Sequence, residues 1–272
     1  MKKIILILFS VYSITACQSS LVNTDIDTNN SGNDINLSTQ YSDNKLSGKT
    51  AADVNTQLGA GYIANGRYDR ALIKLKKALR QEPEHALAHN YLGVLYGRLE
   101  RPGKATAQFN KSLQLAPNDS TILNNYAVFL CEQNQFSKAE PIFKKVINNP
   151  LYIKRAEAYQ SAAWCALKNN ELDRAEKLYR KALSISPELS GALFGLAKVN
   201  YKKANYDYAW SYFLRYDKRP LPDGDALWLG INILKKLTYP DKNLLSSYEL
   251  QLKSKYPDSD ESKWLYQGKQ DY

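Results

Sequence analysis

The chain has 272 residues and a formal net charge of +10 at pH 7. A basic balance of this size would suit a nucleic-acid-binding protein, but an export signal at the N-terminus argues against that class. Lys2 and Lys3 leave with that signal, so the mature chain carries a formal charge of +8. Residues 51–272 remain for a folded domain, which is enough for a sizeable core.

Residues 1–16 have the organisation of a lipoprotein signal peptide. Two lysines precede an apolar run at residues 4–12, which is too short to span a bilayer as a mature helix. The run leads into Ile-Thr-Ala-Cys at residues 14–17, which resembles the lipobox of bacterial lipoproteins. Cys17 would then become the first mature residue and carry acyl chains that anchor the protein durably. A plain signal peptide with a coincidental cysteine is the alternative.

The residues after Cys17 bear on localisation. Gln18 stands where an Asp would retain an enteric-type lipoprotein at the inner membrane, so its identity favours the outer membrane. Residues 17–50 are rich in Asn, Ser, Thr and Asp without a helical period, which predicts a lipidated N-terminus and a disordered tether. A flexible chain of this length reaches roughly 30–35 Å. The folded domain would therefore hang clear of the membrane and face the periplasm.

A ladder of small residues and prolines dominates the rest of the chain. The small residues are Ala71, Ala105, Ala139, Ala175 and Ala209, and the prolines are Pro83, Pro117, Pro150, Pro187 and Pro220. The usual step is 34 residues, the period of tetratricopeptide repeats, each of which forms two antiparallel helices. The step from Ala139 to Ala175 is 36, which places an insertion near residues 148–152. The sequence therefore predicts an all-α fold, a right-handed tetratricopeptide-repeat solenoid of about six helix-turn-helix repeats.

The repeat pattern also predicts the domain bounds. The six repeats are expected at about residues 52–85, 86–119, 120–155, 156–189, 190–223 and 225–258, followed by a C-terminal tail at 259–272. The sixth repeat is degenerate, as expected for a terminal repeat that faces water on one side. Small residues such as Gly93 should let the two helices of a repeat approach closely, while large ones such as Phe109 fill the space between them.

Catalytic and metal-binding motifs are absent from the sequence. The two histidines, His85 and His89, have an i,i+4 spacing that could clamp a metal, but no acidic or cysteine partner lies at a zinc-motif spacing. His89 falls at a packing position of a repeat, and His85 falls in a turn between repeats. No nucleophile elbow or P-loop is present. We expect neither an enzyme nor a cofactor, metal, nucleic-acid or small-molecule site.

Cys131 and Cys165 fall in the first helices of the third and fourth repeats. First helices of adjacent repeats pack side by side, so the two thiols could lie close together. An oxidising periplasm favours a disulfide that staples the two repeats. Two separately buried small hydrophobic side chains are the alternative.

The first helix of each repeat should line the concave face, where solenoids hold their partners. By repeat position, the candidate partner-binding residues are Asn90, Val94, Asn124, Val128, Gln160, Trp164, Phe194 and Tyr201. Trp164 and Phe194 either anchor a ligand or fill the space between repeats. No lysine accompanies Asn124 and Asn125, which disfavours a ligand held by its terminal carboxylate. The scattered Lys and Arg residues indicate a solvated convex face, or attraction to an acidic partner or to anionic phosphates.

Three segments resemble the PilF/PilW family, the outer-membrane lipoproteins of type IV pilus biogenesis. They are Leu-Asn-Asn-Tyr-Ala-Val-Phe-Leu-Cys-Glu at residues 123–132, Asn-Pro-Leu-Tyr at 149–152 with Cys165, and Ala-Leu-Trp-Leu-Gly at 226–230. Ala127 stands where that family often has Gly, and Asn232 where a basic residue is common. The resemblance covers roughly residues 14–240. It implies six repeats and a pilotin, a lipoprotein that helps secretin subunits reach the outer membrane and assemble into the pilus ring.

Two other functions suit an exported repeat lipoprotein. One is a component of another outer-membrane assembly system, such as the machinery of β-barrel insertion. The other is a regulator of a cell-wall enzyme. Loss of surface pili with normal porin assembly would favour the pilotin, a general barrel defect the first alternative, and cell-wall defects the second.

Overall fold

The computed structural model describes residues 50–216 and 223–269. Within these ranges the chain forms thirteen α-helices. They are α1 Ala51–Ala64, α2 Tyr68–Gln81, α3 Ala86–Arg98, α4 Pro102–Leu115, α5 Ser120–Glu132, α6 Phe136–Ile147, α7 Arg155–Lys168, α8 Leu172–Ile185, α9 Ser190–Lys202, α10 Tyr206–Tyr216, α11 Gly224–Lys236, α12 Lys242–Lys255 and α13 Asp260–Tyr266.

The first twelve helices form six consecutive pairs, and each pair occupies one predicted repeat to within one residue. The predicted all-α tetratricopeptide-repeat fold is confirmed. The signal peptide, Cys17 and the tether lie outside the described residues. None of the described helices is long and apolar enough to cross a membrane.

In each of the first five repeats, the turn between the two helices reverses the chain through one residue in the left-handed region. These residues are Gly66, Glu100, Asn134, Asn170 and Ala204, with φ between 55° and 68°. Their spacing follows the alanine ladder, including the longer step between the third and fourth repeats. Only Gly66 is a glycine, the residue that adopts this conformation without strain. The reversal is therefore imposed by the pairing of the two helices as well as by local preference.

The core lies between the two helices of each repeat and between neighbouring repeats. All five alanines of the ladder are completely buried. A Cβ atom added to Gly59 would lie 2.6 Å from Cγ of Leu75, and one added to Gly93 would lie 2.9 Å from the ring of Phe109. These distances show the close approach that small residues permit at this repeat position, as the sequence predicts.

The C-terminal end of the described chain contains one further helix. The expected tail at residues 259–272 contains α13, which packs against α11 and α12. The Trp264 ring lies 5.9 Å from that of Trp228, and the hydroxyl of Ser262 donates a hydrogen bond to the carbonyl oxygen of Leu252. Trp228 is 1% exposed. This helix covers the apolar surface that the sixth repeat would otherwise present to water, so it acts as the cap of the solenoid.

Candidate partner-binding groove

A groove of about 760 Å³ crosses the first helices of the fourth and fifth repeats, α7 and α9. We call it the α7–α9 groove. Its apolar lining includes Val128, Trp164, Leu167 and Phe194, and its basic lining comprises Arg98, Lys168, Lys198 and Lys202. The apolar side chains come from α5, α7 and α9, so three consecutive repeats contribute to one concave surface.

Four of the eight predicted partner-binding residues line this groove. They are Val128, Gln160, Trp164 and Phe194. Val94 lines a smaller adjoining pocket of about 100 Å³, which shares Val128, Arg98 and Glu132 with the groove. The concave surface therefore continues from α9 back to α3.

The prediction is wrong for Asn90 and Tyr201. Asn90 is completely buried in α3. Tyr201 is 8% exposed and belongs to the apolar core around α10 and α11, where its ring meets Tyr206 edge-on. Both residues lie on the predicted helices. The position in the repeat specifies the direction of a side chain from its helix but not how deeply it is buried. Each of these two side chains points between helices.

Asn124 is intermediate between these two groups. It is partly exposed, but its Oδ1 atom is buried and has no hydrogen-bond partner among the described residues. Other buried atoms without a hydrogen-bond partner among the described residues are Oγ1 of Thr56, both amide atoms of Asn90 and Oε1 of Gln160. These four residues occupy the same position in the first four repeats, and in the fifth repeat this position holds Phe194. A column of polar side chains therefore runs along the first helices and ends at the groove.

The two aromatic rings of the groove are positioned differently. Trp164 is 36% exposed and presents a large apolar surface to solvent. Phe194 is half-buried and stacks on Tyr216 with 4.7 Å between ring centroids. Each ring carries a lysine on its face, because Nζ of Lys168 lies 5.8 Å from the Trp164 centroid and Nζ of Lys198 lies 4.5 Å from that of Phe194. Cation–π attraction keeps both ammonium groups beside the apolar surface.

The basic groups are only partly neutralised. Arg98 pairs with Glu132 at 3.2 Å, and Lys198 pairs with Asp225 at 2.8 Å. Lys168 donates hydrogen bonds to the carbonyl oxygens of Cys131 and Glu132 at the end of α5, at 3.0 and 2.9 Å. Neutral carbonyl oxygens leave the lysine charge uncompensated, so the groove has a basic rim.

The groove floor depends on two glycines of α9. A Cβ atom at Gly195 would overlap the ring of Tyr179, and one at Gly191 would overlap the amide of Gln160. The Tyr179 ring is thus buried directly beneath the groove, and this burial raises the pKa of its phenol. The close approach of α9 to α7 and α8 is therefore a property of these two positions.

The structure joins Cys131 and Cys165 in a disulfide with 5.6 Å between their Cα atoms. Of the two alternatives that the sequence left open, the structure therefore has the disulfide. The distance between the two Cα atoms lies within the range that a disulfide requires. The bridge links α5 to α7. Lys168 is bound to the carbonyl oxygen of Cys131, so the disulfide also lies next to the groove.

The two histidines have structural partners. Nδ1 of His85 accepts a hydrogen bond from the amide of Ala88 and thereby caps α3, while Nε2 lies 3.0 Å from Oδ1 of Asp53. Both ring nitrogens of His89 also lie within hydrogen-bond distance of protein oxygens, on Gln108 and Pro83. Among residues 50–216 and 223–269, no group of three or more His, Cys, Asp or Glu side chains could hold a metal ion.

A lysine at the end of α9 ties the fifth repeat to the fourth. Nζ of Lys203 lies 2.8 Å from a carboxylate oxygen of both Asp173 and Glu176. The hydrogen bond from Lys203, followed by that from Arg180, lowers the pKa of Glu176 below its ordinary value, and Lys203 also lowers the pKa of Asp173. Carboxylates with a lowered pKa stabilise the fold above their unfolded pKa, and this stabilisation disappears as the pH falls.

We therefore expect Glu176→Gln to reduce the dependence of stability on pH between about pH 5 and 3. The wild-type urea midpoint should fall more steeply on acidification than that of the variant. Asp258→Asn, which changes an exposed carboxylate, is the matched control and should follow the wild type. Parallel curves for wild type and Glu176→Gln would show that the ion pair makes no net contribution.

Family models and relatives agree with this architecture. Models described as tetratricopeptide repeat match residues 56–120, 109–140 and 156–189. The type IV pilus assembly protein PilF of Pseudomonas aeruginosa is 29% identical over 209 residues, which cover 77% of this chain and 82% of that protein. An uncharacterised protein of Haemophilus influenzae is 25% identical over 54% of this chain and 79% of its own length.

Two solved structures of type IV pilus proteins match most of the chain. The structure of Pseudomonas aeruginosa PilF gives a TM-score of 0.64 at 28% identity and covers 80% of this chain and 97% of that one. The crystal structure of PilW, described as a widely conserved type IV pilus biogenesis factor, gives a TM-score of 0.67 at 27% identity and covers 80% and 99%. The chain therefore contains segments that match tetratricopeptide-repeat models, and it is similar to the type IV pilus proteins PilF and PilW.

Proposed function

We infer that this chain is an outer-membrane lipoprotein that acts as a protein-binding scaffold in type IV pilus biogenesis. Its specific role would be that of a pilotin, which brings secretin subunits to the outer membrane and promotes their multimerisation. The similarity to PilF and PilW over about four-fifths of the chain supports the pilus assignment. The α7–α9 groove, with its exposed Trp164, is the observation that supports partner binding.

The groove has the chemistry of a protein-binding surface rather than of an active site. A few large side chains usually carry most of the energy of a protein interface, and Trp, Tyr and Arg are enriched among them. Trp164 offers such a side chain beside Lys168 and Arg98. Among the described residues that line the groove, no nucleophile lies beside a base, and burial raises the pKa of the Tyr179 phenol, which stays protonated.

The lipid anchor would bring the solenoid close to its membrane-bound partners and would not be needed for the solenoid to fold. Helix α1 begins at Ala51 and is capped by Thr50, whose hydroxyl accepts a hydrogen bond from the amide of Asp53 at 3.1 Å. The solenoid therefore has its own N-terminal boundary, and it needs no acyl chain to complete a helix. A lipidated Cys17 would instead hold the groove near membrane-bound partners and so raise their effective concentration.

Loss of the acylated residue should separate localisation from folding. We expect Cys17→Ser to give a soluble periplasmic protein with an unchanged circular dichroism melt, and secretin multimers should fall because the scaffold is no longer tethered. Membrane fractionation and a secretin-multimer assay in cells are the two measurements. Gln18→Asp is the matched control, since it keeps the lipid and should move the protein to the inner membrane.

Several outcomes would contradict the proposal. A Cys17→Ser protein that stays firmly in the outer membrane would exclude the lipid anchor. Normal surface pili and secretin multimers in a strain that lacks the protein would exclude the pilotin role. A general loss of outer-membrane barrels would assign the protein to barrel insertion instead, and cell-wall defects would assign it to the control of a cell-wall enzyme.

A further inference from the structure

The α7–α9 groove combines an apolar floor with uncompensated positive charge, and this combination specifies the chemistry of its ligand. We propose that the groove binds an internal acidic segment of a partner protein, in which a large apolar side chain lies beside carboxylates. This inference deepens the proposed function, on which it rests for the identity of the partner. Its physical basis is independent of that identity.

The apolar part of the site calls for a large side chain. Trp164 is 36% exposed and faces the same space as Phe194, Val128 and Leu167. Removal of apolar surface from water favours binding roughly in proportion to the area buried. The opening of about 760 Å³ is large enough to receive several side chains, and its apolar walls come from three helices. An aliphatic or aromatic side chain between the two rings would therefore be stabilised from both sides.

The charge of the rim calls for carboxylates. Lys202 is exposed at the end of α9 and has no ion pair within the described part of the chain. Both hydrogen bonds of the Lys168 ammonium go to carbonyl oxygens. Glu132 is the only carboxylate among the described residues that line the groove, and it is paired with Arg98 at 3.2 Å. A ligand carboxylate near Lys168 or Lys202 would gain an attraction that no carboxylate of residues 50–216 and 223–269 already supplies.

The polar group at the floor favours main chain in an extended conformation. Oε1 of Gln160 is buried without a hydrogen-bond partner in the described structure, and Oδ1 of Asn124 is in the same state one repeat earlier. A buried acceptor without a hydrogen-bond partner is unfavourable, because it has lost its hydrogen bond to water. A small rotation of the Gln160 amide, which lines the groove, would let it accept a hydrogen bond from a backbone N–H of the ligand. An extended segment presents such groups at regular intervals.

Binding of synthetic peptides to the soluble full-length Cys17→Ser protein tests this proposal directly. The probe is an acetylated, amidated peptide of roughly 12 residues, long enough to cross two helices in an extended form. It alternates Asp and Glu with Leu and Phe, and its partner peptide has Lys in place of every acidic residue. Fluorescence anisotropy should show binding of the acidic peptide only, with a Kd that rises with salt.

Two variants assign the binding to the groove. Lys202→Glu should raise the Kd of the acidic peptide by roughly ten-fold, and Trp164→Ala should raise this Kd by roughly ten-fold or more. The matched controls are Lys77→Glu on exposed α2 surface and Tyr239→Ala, whose side chain is 92% exposed. Both controls should bind as the wild type does. Since Lys202 is exposed, its replacement keeps the test valid even if Trp164→Ala lowers the melting temperature.

Other results would overturn the inference. Unchanged binding in both groove variants would place the peptide site elsewhere. Equal binding of the acidic and lysine peptides would remove the charge argument. Adsorption to phosphatidylglycerol vesicles that is lost in Lys202→Glu, without any peptide binding, would assign the groove to lipid headgroups. If peptide binding is lost in Trp164→Ala while secretin multimers stay normal in cells, the groove inference stands and its partner is not the secretin.

Discussion

Replacement of both Cys131 and Cys165 by alanine is expected to lower the free energy of unfolding by about 3–4 kcal/mol. The bridge closes a loop with a sequence separation of 34 residues, so its loss enlarges the conformational freedom of the unfolded chain. Urea unfolding of the oxidised proteins, compared at one temperature, measures the difference. The wild type in the presence of a reductant should approach the double variant, and the double variant itself should not respond to the reductant.

The single variants provide the control for packing. Cys131 is completely buried and Cys165 is 7% exposed, so alanine removes packing atoms as well as the bridge. Cys131→Ala in reductant should therefore differ from reduced wild type only by the small packing contribution. Two reactive thiols in the unfolded, non-reduced wild type would show that no bridge forms. Equal stability of oxidised wild type and double variant would show that the bridge contributes nothing.

The repeat pattern predicted the fold because its chemistry is local and periodic. Small residues such as Gly93 and Ala105 recur where two helices touch, and only close packing of that kind imposes a fixed 34-residue period. The longer step between the third and fourth repeats was also visible, and in the structure it lies in the connection between α6 and α7. There Leu151 and Ile153 are 87% and 93% exposed.

The depth of each side chain could not be predicted in this way. A repeat position determines the helix face, but the neighbouring repeat determines how far the groove opens over it. Asn90 on α3 is completely buried, whereas Trp164 stays 36% exposed because the fourth and fifth repeats leave a wide groove. The glycines that shape that groove, Gly191 and Gly195, gave a signal only through their fixed spacing of one helical turn on α9.

The residues of the capping helix could not be located from the sequence for a related reason. Residues 260–266 have no counterpart in the repeat, so the period could not assign them. Their role depends on pairing across the chain, because Trp264 meets Trp228 and Ser262 bonds to the end of α12. An aromatic residue beyond the last repeat was the available signal. It indicates that the final repeat needs apolar cover, which a solenoid end generally requires.

The second large effect is expected at the contact between the fifth and sixth repeats. Phe213 of α10 is completely buried, and its ring lies 5.6 Å from Trp210 and 6.1 Å from Tyr248. Phe213→Ala should lower the free energy of unfolding by about 3–5 kcal/mol, since it leaves a cavity in this aromatic core. Tyr208→Ala on the same helix, where the side chain is 65% exposed, should change it by less than about 0.5 kcal/mol.

Gly230 provides a complementary change at the same contact. A Cβ atom at this position would lie 2.8 Å from Cζ of Phe213 and 2.9 Å from Tyr248, so Gly230→Ala should cost about 1–3 kcal/mol by overpacking. In the double variant the new methyl group can occupy space left by the missing phenyl ring. Its loss of stability should therefore be smaller than the sum of the two single losses, by about 1 kcal/mol or more.

Urea unfolding of the four proteins completes this cycle. Strict additivity would show that Phe213 and Gly230 do not share the same space, contrary to the structure. A loss below about 1 kcal/mol in Phe213→Ala would show that the core collapses around the void, because residual cavity volume determines the cost of such changes. A stable Gly230→Ala protein would mean that α11 can move away from α10, and the aromatic contact would then not hold the sixth repeat in place.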